Sequence, residues 1–328
     1  LVFGLIEGQA YGWWPAIHDF QLGPINLNTG GMSVVPFAFL IGVVLLGLLV
    51  AWELPRTRNG KGTLIDIPLF GIRRYGFGNV VALVVSLGEF GILFVLPLWL
   101  QSVAGLDPLT TGALIAFLAV GTLLAGGAAR GVSARLGATQ VVRLGMILEI
   151  IGIIGIGWGF STTRSPWWLV IPLMIYGAGL GFASAQLTNV VLADVPLEKS
   201  GQASAMTSTF RQVGSALGAA ILGAVLFTGL GDDLGKKLDD LPGVSTPQAE
   251  QIVNSVQGSA GQAIVAMEKN PAFAPIVEDA KAAYTDSAKL TALVAAIFVF
   301  FGLMASLGLP KDSVADDTSA AEDLPVAG

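Results

Sequence analysis

Seven long apolar segments recur along this chain, and they constrain its fold more than any other feature. Each has about 17 or more largely apolar residues, and a helix needs about 20, at a rise of about 1.5 Å each, to cross a lipid bilayer. Only 12% of the residues are charged, whereas a soluble domain carries about 25%. The sequence therefore predicts an all-α membrane protein. The predicted spans are 34–52, 77–101, 109–129, 140–160, 167–193, 212–230 and 290–309.

The order of these segments divides the chain into four parts. Residues 1–52 are predicted to hold two transmembrane helices, the first of them truncated because the chain opens inside an apolar run. Residues 53–76 form a basic connector with several turn-prone residues. Residues 77–309 form a six-helix transmembrane bundle. Residues 310–328 contain few apolar groups to bury, so we expect a disordered tail.

The bundle is interrupted by a long loop at residues 231–289, before the last span. Ser245, Thr246 and Pro247 make a favourable helix start. Apolar residues then recur every four positions, as they do on one face of a helix. We therefore expect short amphipathic helices in this loop. The repeating apolar residues are Ile252, Val256, Ala260 and Ile264.

Lysine and arginine gather in the loops on one side of the predicted bundle, whereas the short loops of the other side carry only Arg164. Short loops rich in these residues stay cytoplasmic. Six of the seven tryptophans fall at the opposite interface, where an amphipathic ring is favoured. Both signals predict a multi-pass protein of the cell membrane with a cytoplasmic C-terminus and an outer long loop. The basic residues of the cytoplasmic side are Arg56, Arg58, Lys61, Arg73, Arg74, Arg130, Arg135, Arg143, Lys199, Arg211 and Lys311.

Glu89 stands near the middle of the span 77–101, with Asn79 and Ser86 on nearly the same side of the helix. An ionised carboxylate in the middle of a bilayer costs roughly 2.5 to 3.5 kcal/mol even on the lenient insertion scale, and removal from water favours the neutral form. Such a group can gain and lose a proton during a reaction cycle. Glu89 is therefore a candidate for proton coupling or substrate contact. The alternative is a permanently protonated side chain that hydrogen-bonds a neighbouring helix.

Glu149 is the second acid in a predicted span, and its helix face also carries Gly145, Gly152 and Gly159. Small residues in a row mark close helix packing. This spacing favours burial of Glu149 against another helix in a structural role, with proton coupling as the alternative.

The span 167–193 carries a stripe of small residues and two uncharged polar residues away from it. Gln186 and Asn189 either contact a substrate in an aqueous cavity or form an interhelical hydrogen bond. Gly214 and Gly218 form a GxxxG pair in the next span, which indicates helix packing. The stripe consists of Gly177, Gly181, Ser184 and Thr188.

Several kinds of chemistry lack support in the sequence. Gly177, Gly179 and Gly181 follow no predicted strand, and the chain has no GxxxxGK[ST] motif for phosphate binding. The only histidine, His18, falls in a predicted outer loop, and the chain has no cysteine, so neither a metal site nor a Ser-His-Asp site is indicated. We expect no enzymatic activity, no cofactor and no nucleic-acid partner.

Five stretches of the chain carry a family resemblance. They are LIEGQAYGWW at the start, IDIPLFGIRRYGFGN, LPLWLQSVAGLDPLTTG, SARLG at Ser133–Gly137 and, as the most specific, ADVPLEKSGQASAMTSTFRQVGSALGAAILG. From Leu1 to about Leu230 the chain resembles the second half of a major facilitator superfamily transporter. The branch it resembles is the fourteen-span drug/proton antiporters of the EmrB/QacA type.

This resemblance implies a fold and a set of site residues. Residues 1–52 would be two linker helices and 77–309 the C-terminal six-helix bundle, whose partner would be a missing N-terminal half. In this fold the first and fourth helices of a bundle line the central cavity, which would place Glu89, Gln186 and Asn189 there. Where the family commonly has an acid before the arginine of the SARLG loop, this chain has Ala134 before Arg135, which weakens the case for a charge latch at that loop.

The expected function is a proton-coupled efflux carrier for drug-like or amphipathic small molecules, working by alternating access in a bilayer. Arg211 would sit at the cytoplasmic mouth of its helix and pair with Asp194 or Glu198; the alternative is a plain cytoplasmic anchor. Arg135 is a further candidate for a gate or ion pair. Two other functions stay open: a metabolite exporter or facilitator without proton exchange, and a membrane scaffold whose outer loop binds a partner.

Overall fold

The computed structural model describes residues 3–4, 8, 11–16, 20–22, 25–27, 31–58, 66–242 and 244–309. Within these residues, seven helical segments are long and apolar enough to cross a membrane, which confirms the predicted all-α membrane fold. A short antiparallel hairpin, β1 (Phe20–Leu22) and β2 (Ile25–Leu27), precedes them. The helices are α1 (Val34–Arg58), α2 (Arg73–Ser102), α3 (Pro108–Leu136), α4 (Ala138–Gly159), α5 (Val170–Leu192), α6 (Ser200–Asp239), α7 (Thr246–Gly258), α8 (Gln262–Glu268) and α9 (Ala274–Ser306).

Six of the long helices form one bundle made of two groups of three. In one group, α2, α6 and α9 pack against one another; in the other, α5 packs against both α3 and α4. The groups meet where α9 contacts α4 and α2 contacts α5. Helix α1 lies apart from this bundle, and only 6% of the residues in its most apolar stretch are buried.

The two ends of the bundle differ in charge and in the elements they carry. We call the end where α2, α4 and α6 begin the basic end, because Arg73, Arg130, Arg143 and Lys199 lie there. The opposite end carries α7 and α8 and is called the loop end. Since α2 and α6 both run from the basic end to the loop end, they are parallel neighbours.

Close packing of α2 on α6 depends on the GxxxG pair of α6. A Cβ atom at Gly214 would overlap the carbonyl oxygen of Leu83, and one at Gly218 would overlap that of Leu87. The two helices therefore approach at backbone distance. This contact confirms the packing role predicted for the pair.

The small-residue stripe of α5 makes the corresponding contact with α3. A Cβ atom at Gly177 would meet the carbonyl oxygen of Leu118, and one at Gly181 would meet that of Thr122. The predicted packing stripe is confirmed at these two positions.

Helix ends are where the predicted spans are most in error. The sixth span was predicted at 212–230, but α6 runs from Ser200 to Asp239. Helix α9 likewise begins at Ala274, well before the predicted residue 290. A search for apolar runs detects only the part of a helix that is apolar on all sides. Beyond that part, α6 continues as an amphipathic helix with one apolar face. Its buried leucines recur every four residues: Leu222, Leu226, Leu230, Leu234 and Leu238.

The predicted loop 231–289 is consequently mostly helical. Helix α7 begins where the sequence predicted, because Ser245 forms a capping box in which its backbone N–H donates to Gln248 Oε1 at 3.1 Å. The four-residue repeat does not form one helix, however. Ala260 and Gly261 have positive φ angles of 51° and 90° and separate α7 from α8.

The connector predicted at 53–76 is shorter than expected. Helix α1 extends to Arg58, a short 3-10 helix covers Ile67–Gly71, and α2 already begins at Arg73. Residues 59–65 lie outside the described part of the chain, as do the predicted tail 310–328, His18 and most of the predicted helix before residue 12.

Candidate functional site

Glu89 lies in the middle of α2, at a level where the helix is clamped on two sides. A Cβ atom at Gly88 would overlap Val299 of α9, and one at Gly91 would overlap Leu222 of α6. The sequence LGEFG therefore lets two neighbouring helices approach closely beside the acid. Glu89 itself is only 8% exposed, so the predicted burial of this carboxyl group is present in the structure.

Arg211 of α6 is the charged partner of Glu89. Its Nη2 atom lies 4.0 Å from Glu89 Oε2, and the side chains are 32% and 11% exposed. Arg211 was predicted at the mouth of its helix, which is wrong because α6 begins at Ser200. Eleven residues separate the two positions, which places Arg211 about 16 Å into the bundle.

Tyr176 of α5 also reaches this part of α2. Its hydroxyl group donates a hydrogen bond of 3.0 Å to the backbone carbonyl of Glu89, and its side chain is fully buried. A buried tyrosine hydroxyl usually finds such a partner. The sequence analysis did not select Tyr176 as a site residue. A tyrosine inside an apolar span is the sequence feature that could have indicated it.

Glu149 of α4 is fully buried at the contact between α4 and α5. A Cβ atom at Gly179 would lie 2.7 Å from Glu149 Cγ, while Gly145 and Gly152 bring the two backbones together on either side. Neither carboxyl oxygen of Glu149 has a hydrogen-bond partner among the described residues. The predicted packing of this glycine face against another helix is confirmed.

Gln186 and Asn189 lie on α5 at a different depth from Glu89. Gln186 follows Tyr176 by ten residues, which is about 15 Å along the helix towards the basic end. Asn189 Nδ2 donates to Gln186 Oε1 at 3.5 Å, and Asn189 is exposed. The structure thus joins these two residues to each other, and among the described residues neither side chain hydrogen-bonds to Glu89 or Arg211.

The basic end carries two ion pairs between the start of α2 and the α5–α6 connection. Arg74 Nη1 lies 3.4 Å from Asp194 Oδ1, and Lys199 pairs with Asp66. The predicted pairing of Arg211 with Asp194 is therefore corrected. Asp194 ends up beside the arginine at the start of α2, because α5 and α2 meet at this level.

The remaining predicted gate residues make no such pair in the part of the chain that the structure describes. Glu198 is exposed on the short 3-10 helix Leu197–Lys199, and Arg135 is exposed in the last turn of α3. Arg143 has a different contact: its Nη2 atom donates to the Ser306 carbonyl at 2.8 Å and to the Leu309 carbonyl at 3.4 Å. It thereby ties α4 to the end of α9.

Seven long apolar helical segments, two of which carry an acid–arginine pair between them, define a multi-pass membrane protein. Residues 22–219 match the profile of the Major Facilitator Superfamily. The chain belongs to this superfamily.

Curated relatives share up to about a third of the aligned residues. The chain is 32% identical over 247 residues to the probable actinorhodin transporter of Streptomyces coelicolor, covering 73% of this chain and 39% of the relative. It is 27% identical over 274 residues to the multidrug efflux pump LfrA of Mycolicibacterium smegmatis, covering 83% and 52%. It is 30% identical over 241 residues to the methyl viologen resistance protein SmvA of Salmonella typhimurium, covering 71% and 47%. The chain thus spans about half or less of the length of these relatives.

Proposed function

We propose that this chain is part of a proton-coupled efflux carrier that moves drug-like or amphipathic small molecules across the cell membrane by alternating access. It would be the C-terminal half of a fourteen-span antiporter, with its basic end and C-terminus in the cytoplasm. Relatives named for multidrug efflux and for actinorhodin transport support the class of activity. The observation that carries the proton coupling is the Glu89–Arg211 pair inside the bundle.

Glu89 is the proton carrier in this proposal. At a separation of 4.0 Å, the carboxylate and the guanidinium attract each other by about 4 kcal/mol at an effective dielectric constant of 20. A proton on Glu89 removes this attraction. Since Glu89 lies on α2 and Arg211 on α6, protonation changes the force between two helices that are packed at backbone distance.

Glu149 has a structural role in the same proposal. Its carboxyl oxygens lack partners in the described structure and the whole side chain is buried, and an unpaired charge in such a place is very costly. Glu149 therefore stays protonated through the cycle. It differs from Glu89 in forming no ion pair among the described residues and in having no exposed atoms.

The ion pairs of the basic end are the proposed cytoplasmic gate. Arg74–Asp194 and Asp66–Lys199 join the beginning of α2 to the connection between α5 and α6. Opening of the basic end during alternating access would break them. Arg135 and Glu198 lie at the same end and form no ion pair among the described residues. In this proposal they pair only after the helices have moved.

The test compares two isosteric substitutions in the complete protein, as its gene encodes it, reconstituted in proteoliposomes with a pH-sensitive dye inside. Ethidium is the transported probe. Glu89→Gln should abolish ethidium flux driven by a pH gradient, whereas Glu149→Gln should retain it. Proton-driven flux that survives Glu89→Gln removes Glu89 from the mechanism. Ethidium flux with no accompanying proton movement in the unaltered protein favours a facilitator.

A further inference from the structure

The loop end carries a groove that the proposed transport mechanism does not use. It lies between α7, α8 and the beginning of α9 and has a volume of about 490 Å³, within the roughly 300–1,000 Å³ that small-molecule sites occupy. We call it the outer groove. Its lining combines apolar side chains with exposed, uncharged polar ones. The apolar lining includes Ile252, Met267, Phe273 and Ile276, and the polar lining includes Gln251 and Ser255.

Other faces of the same helices fix the outer groove to the bundle. Val256 of α7 and Ile264 of α8 are fully buried. The Gln257 Nε2 atom donates a hydrogen bond of 2.6 Å to the backbone carbonyl of Phe227 on α6. These contacts hold α7 and α8 in place, so the groove is preformed, which lowers the entropy cost of binding a ligand.

Two of the lining side chains suit a flat aromatic ligand. Phe273 is 37% exposed, so its ring can pack against another ring and attract a cation placed over its face. Met267 is half-buried, and a methionine side chain is flexible and polarisable enough to adapt to rings of different shapes. None of the described residues that line the groove is charged, so the charge of a ligand would lie at its edge.

The charge around the outer groove is negative. Residues 231–289 contain nine acidic residues and five lysines, a formal net charge of −4. In the described structure, three of those lysines already pair with an acid of the same segment. Asp279 lies three residues after Ile276 on α9, where side chains are neighbours; it is half-buried and forms no ion pair among the described residues. The edge of the groove therefore attracts a positive charge.

We propose that the outer groove binds an amphipathic aromatic cation, with its rings against Met267 and Phe273 and its charge towards Asp279. The volume of the groove suits a drug-sized molecule better than a helix of another protein. The inference rests on the proposed function for the role of this site, which would hold a transported molecule after its release at the loop end. It adds a second ligand site, separate from the Glu89–Arg211 pair.

The test places a cysteine on the rim of the groove in the complete protein, held in lipid nanodiscs. Ser255→Cys reports on the groove. Asn254→Cys is its matched control, because both side chains are exposed on α7 but Asn254 lines a separate cavity together with Glu250. N-ethylmaleimide labels the thiol at near-neutral pH with no pH gradient, and mass spectrometry quantifies the label on the α7 peptide. Ethidium is the cation, and 3,8-diamino-6-phenylphenanthridine has the same ring system without the N-ethyl group and its charge.

Ethidium should slow the labelling of Ser255→Cys and leave that of Asn254→Cys unchanged. The neutral compound should need at least about two- to fivefold more for half-protection, and so should ethidium when Asp279→Asn is added, since an exposed ion pair contributes up to about 1 kcal/mol and each 1.4 kcal/mol is a factor of ten. Glu250→Gln removes one charge from the same segment outside the groove and should change the half-protection concentration less than Asp279→Asn does.

Four results would overturn the proposal. They are the absence of protection by ethidium, equal protection of Ser255→Cys and Asn254→Cys, equal protection by the neutral compound, and no change on adding Asp279→Asn. A Ser255→Cys thiol that is unreactive before any compound is added would show that protein covers the groove, which also contradicts the proposal. Gln251→Cys, one turn earlier on the same rim, repeats the measurement if Ser255→Cys does not fold.

The outcome is separable from that of the proposed function, because protection is measured without transport. Ethidium protection of Ser255→Cys in a protein that moves no protons supports the outer groove and contradicts the coupling. Proton-coupled ethidium flux that depends on Glu89, in a protein whose Ser255→Cys variant is not protected, supports the coupling and contradicts the outer groove.

Discussion

The contact of α6 with α2 gives the sharpest prediction about the architecture, because it holds Arg211 beside Glu89. The perturbation is Gly218→Ala. A Cβ atom there would overlap the Leu87 carbonyl oxygen, so either the helices separate or the backbone shifts. Overpacking of this kind costs about 1–3 kcal/mol, against a gain of about 1 kcal/mol from replacing a helical glycine by alanine.

A matched control lies on the same helix. A Cβ atom at Gly235 meets nothing within 4 Å, so Gly235→Ala should show only the favourable propensity term. The assay is thermal unfolding of the complete protein in detergent. Since a domain of about 150–250 residues shifts its midpoint by about 2–4 °C for each kcal/mol and a longer protein by less, Gly218→Ala should unfold measurably below Gly235→Ala. Equal midpoints for the two variants would refute the close approach of α2 and α6.

Three further predictions concern the ends of the helices. Arg143→Met should lower the midpoint of thermal unfolding, because it removes the donor from the Ser306 carbonyl at 2.8 Å and a hydrogen bond to a charged group contributes about 1.5–3 kcal/mol; an unchanged midpoint contradicts the tie between α4 and α9. Asp107 caps α3, and its hydrogen bonds to the Thr110 hydroxyl and to backbone N–H groups hold the pKa of its carboxyl below the usual value. Its contribution to stability is therefore present above about pH 4 and is lost as the pH falls through the lowered pKa. Asp107→Asn should keep the cap but make the unfolding midpoint fall less steeply with pH in this acid range. An equally steep fall in the variant assigns the loss of stability to other carboxyl groups. Asp194→Arg should impair transport by placing two cations together at the basic end, and Arg74→Asp/Asp194→Arg should restore it by re-forming the 3.4 Å pair in reverse; failure of the double variant to recover argues against the ion pair as a gate.

The fold was predictable from the sequence because the bilayer imposes a simple rule on it. Each apolar run predicted the position of a long helix, and the glycine spacings in α5 and α6 predicted where helices approach. The helix ends were missed because a hydropathy pattern detects only the residues expected within the membrane. A helix can continue beyond the membrane surface. The four-residue repeat from Leu222 to Leu238 was the signal for the continuation of α6.

The candidate site was predictable only one residue at a time. The rule that intramembrane acids are rare and functional selected Glu89, but nothing local links residue 89 to Arg211, which lies 122 positions later in the sequence. Such a pair depends on how α2 and α6 are placed and on where α6 begins. The same reason explains why Arg74, and not Arg211, meets Asp194, and why Tyr176 was not selected.

The most direct test of the central claim is the proton movement that accompanies ethidium flux, compared between Glu89→Gln and Glu149→Gln in the same proteoliposomes. The account predicts that a pH gradient drives no ethidium movement in the first variant and drives it at a rate close to that of the unaltered protein in the second. Loss of proton-driven flux in Glu149→Gln with retention in Glu89→Gln would contradict the assignment of the proton to the acid beside Arg211.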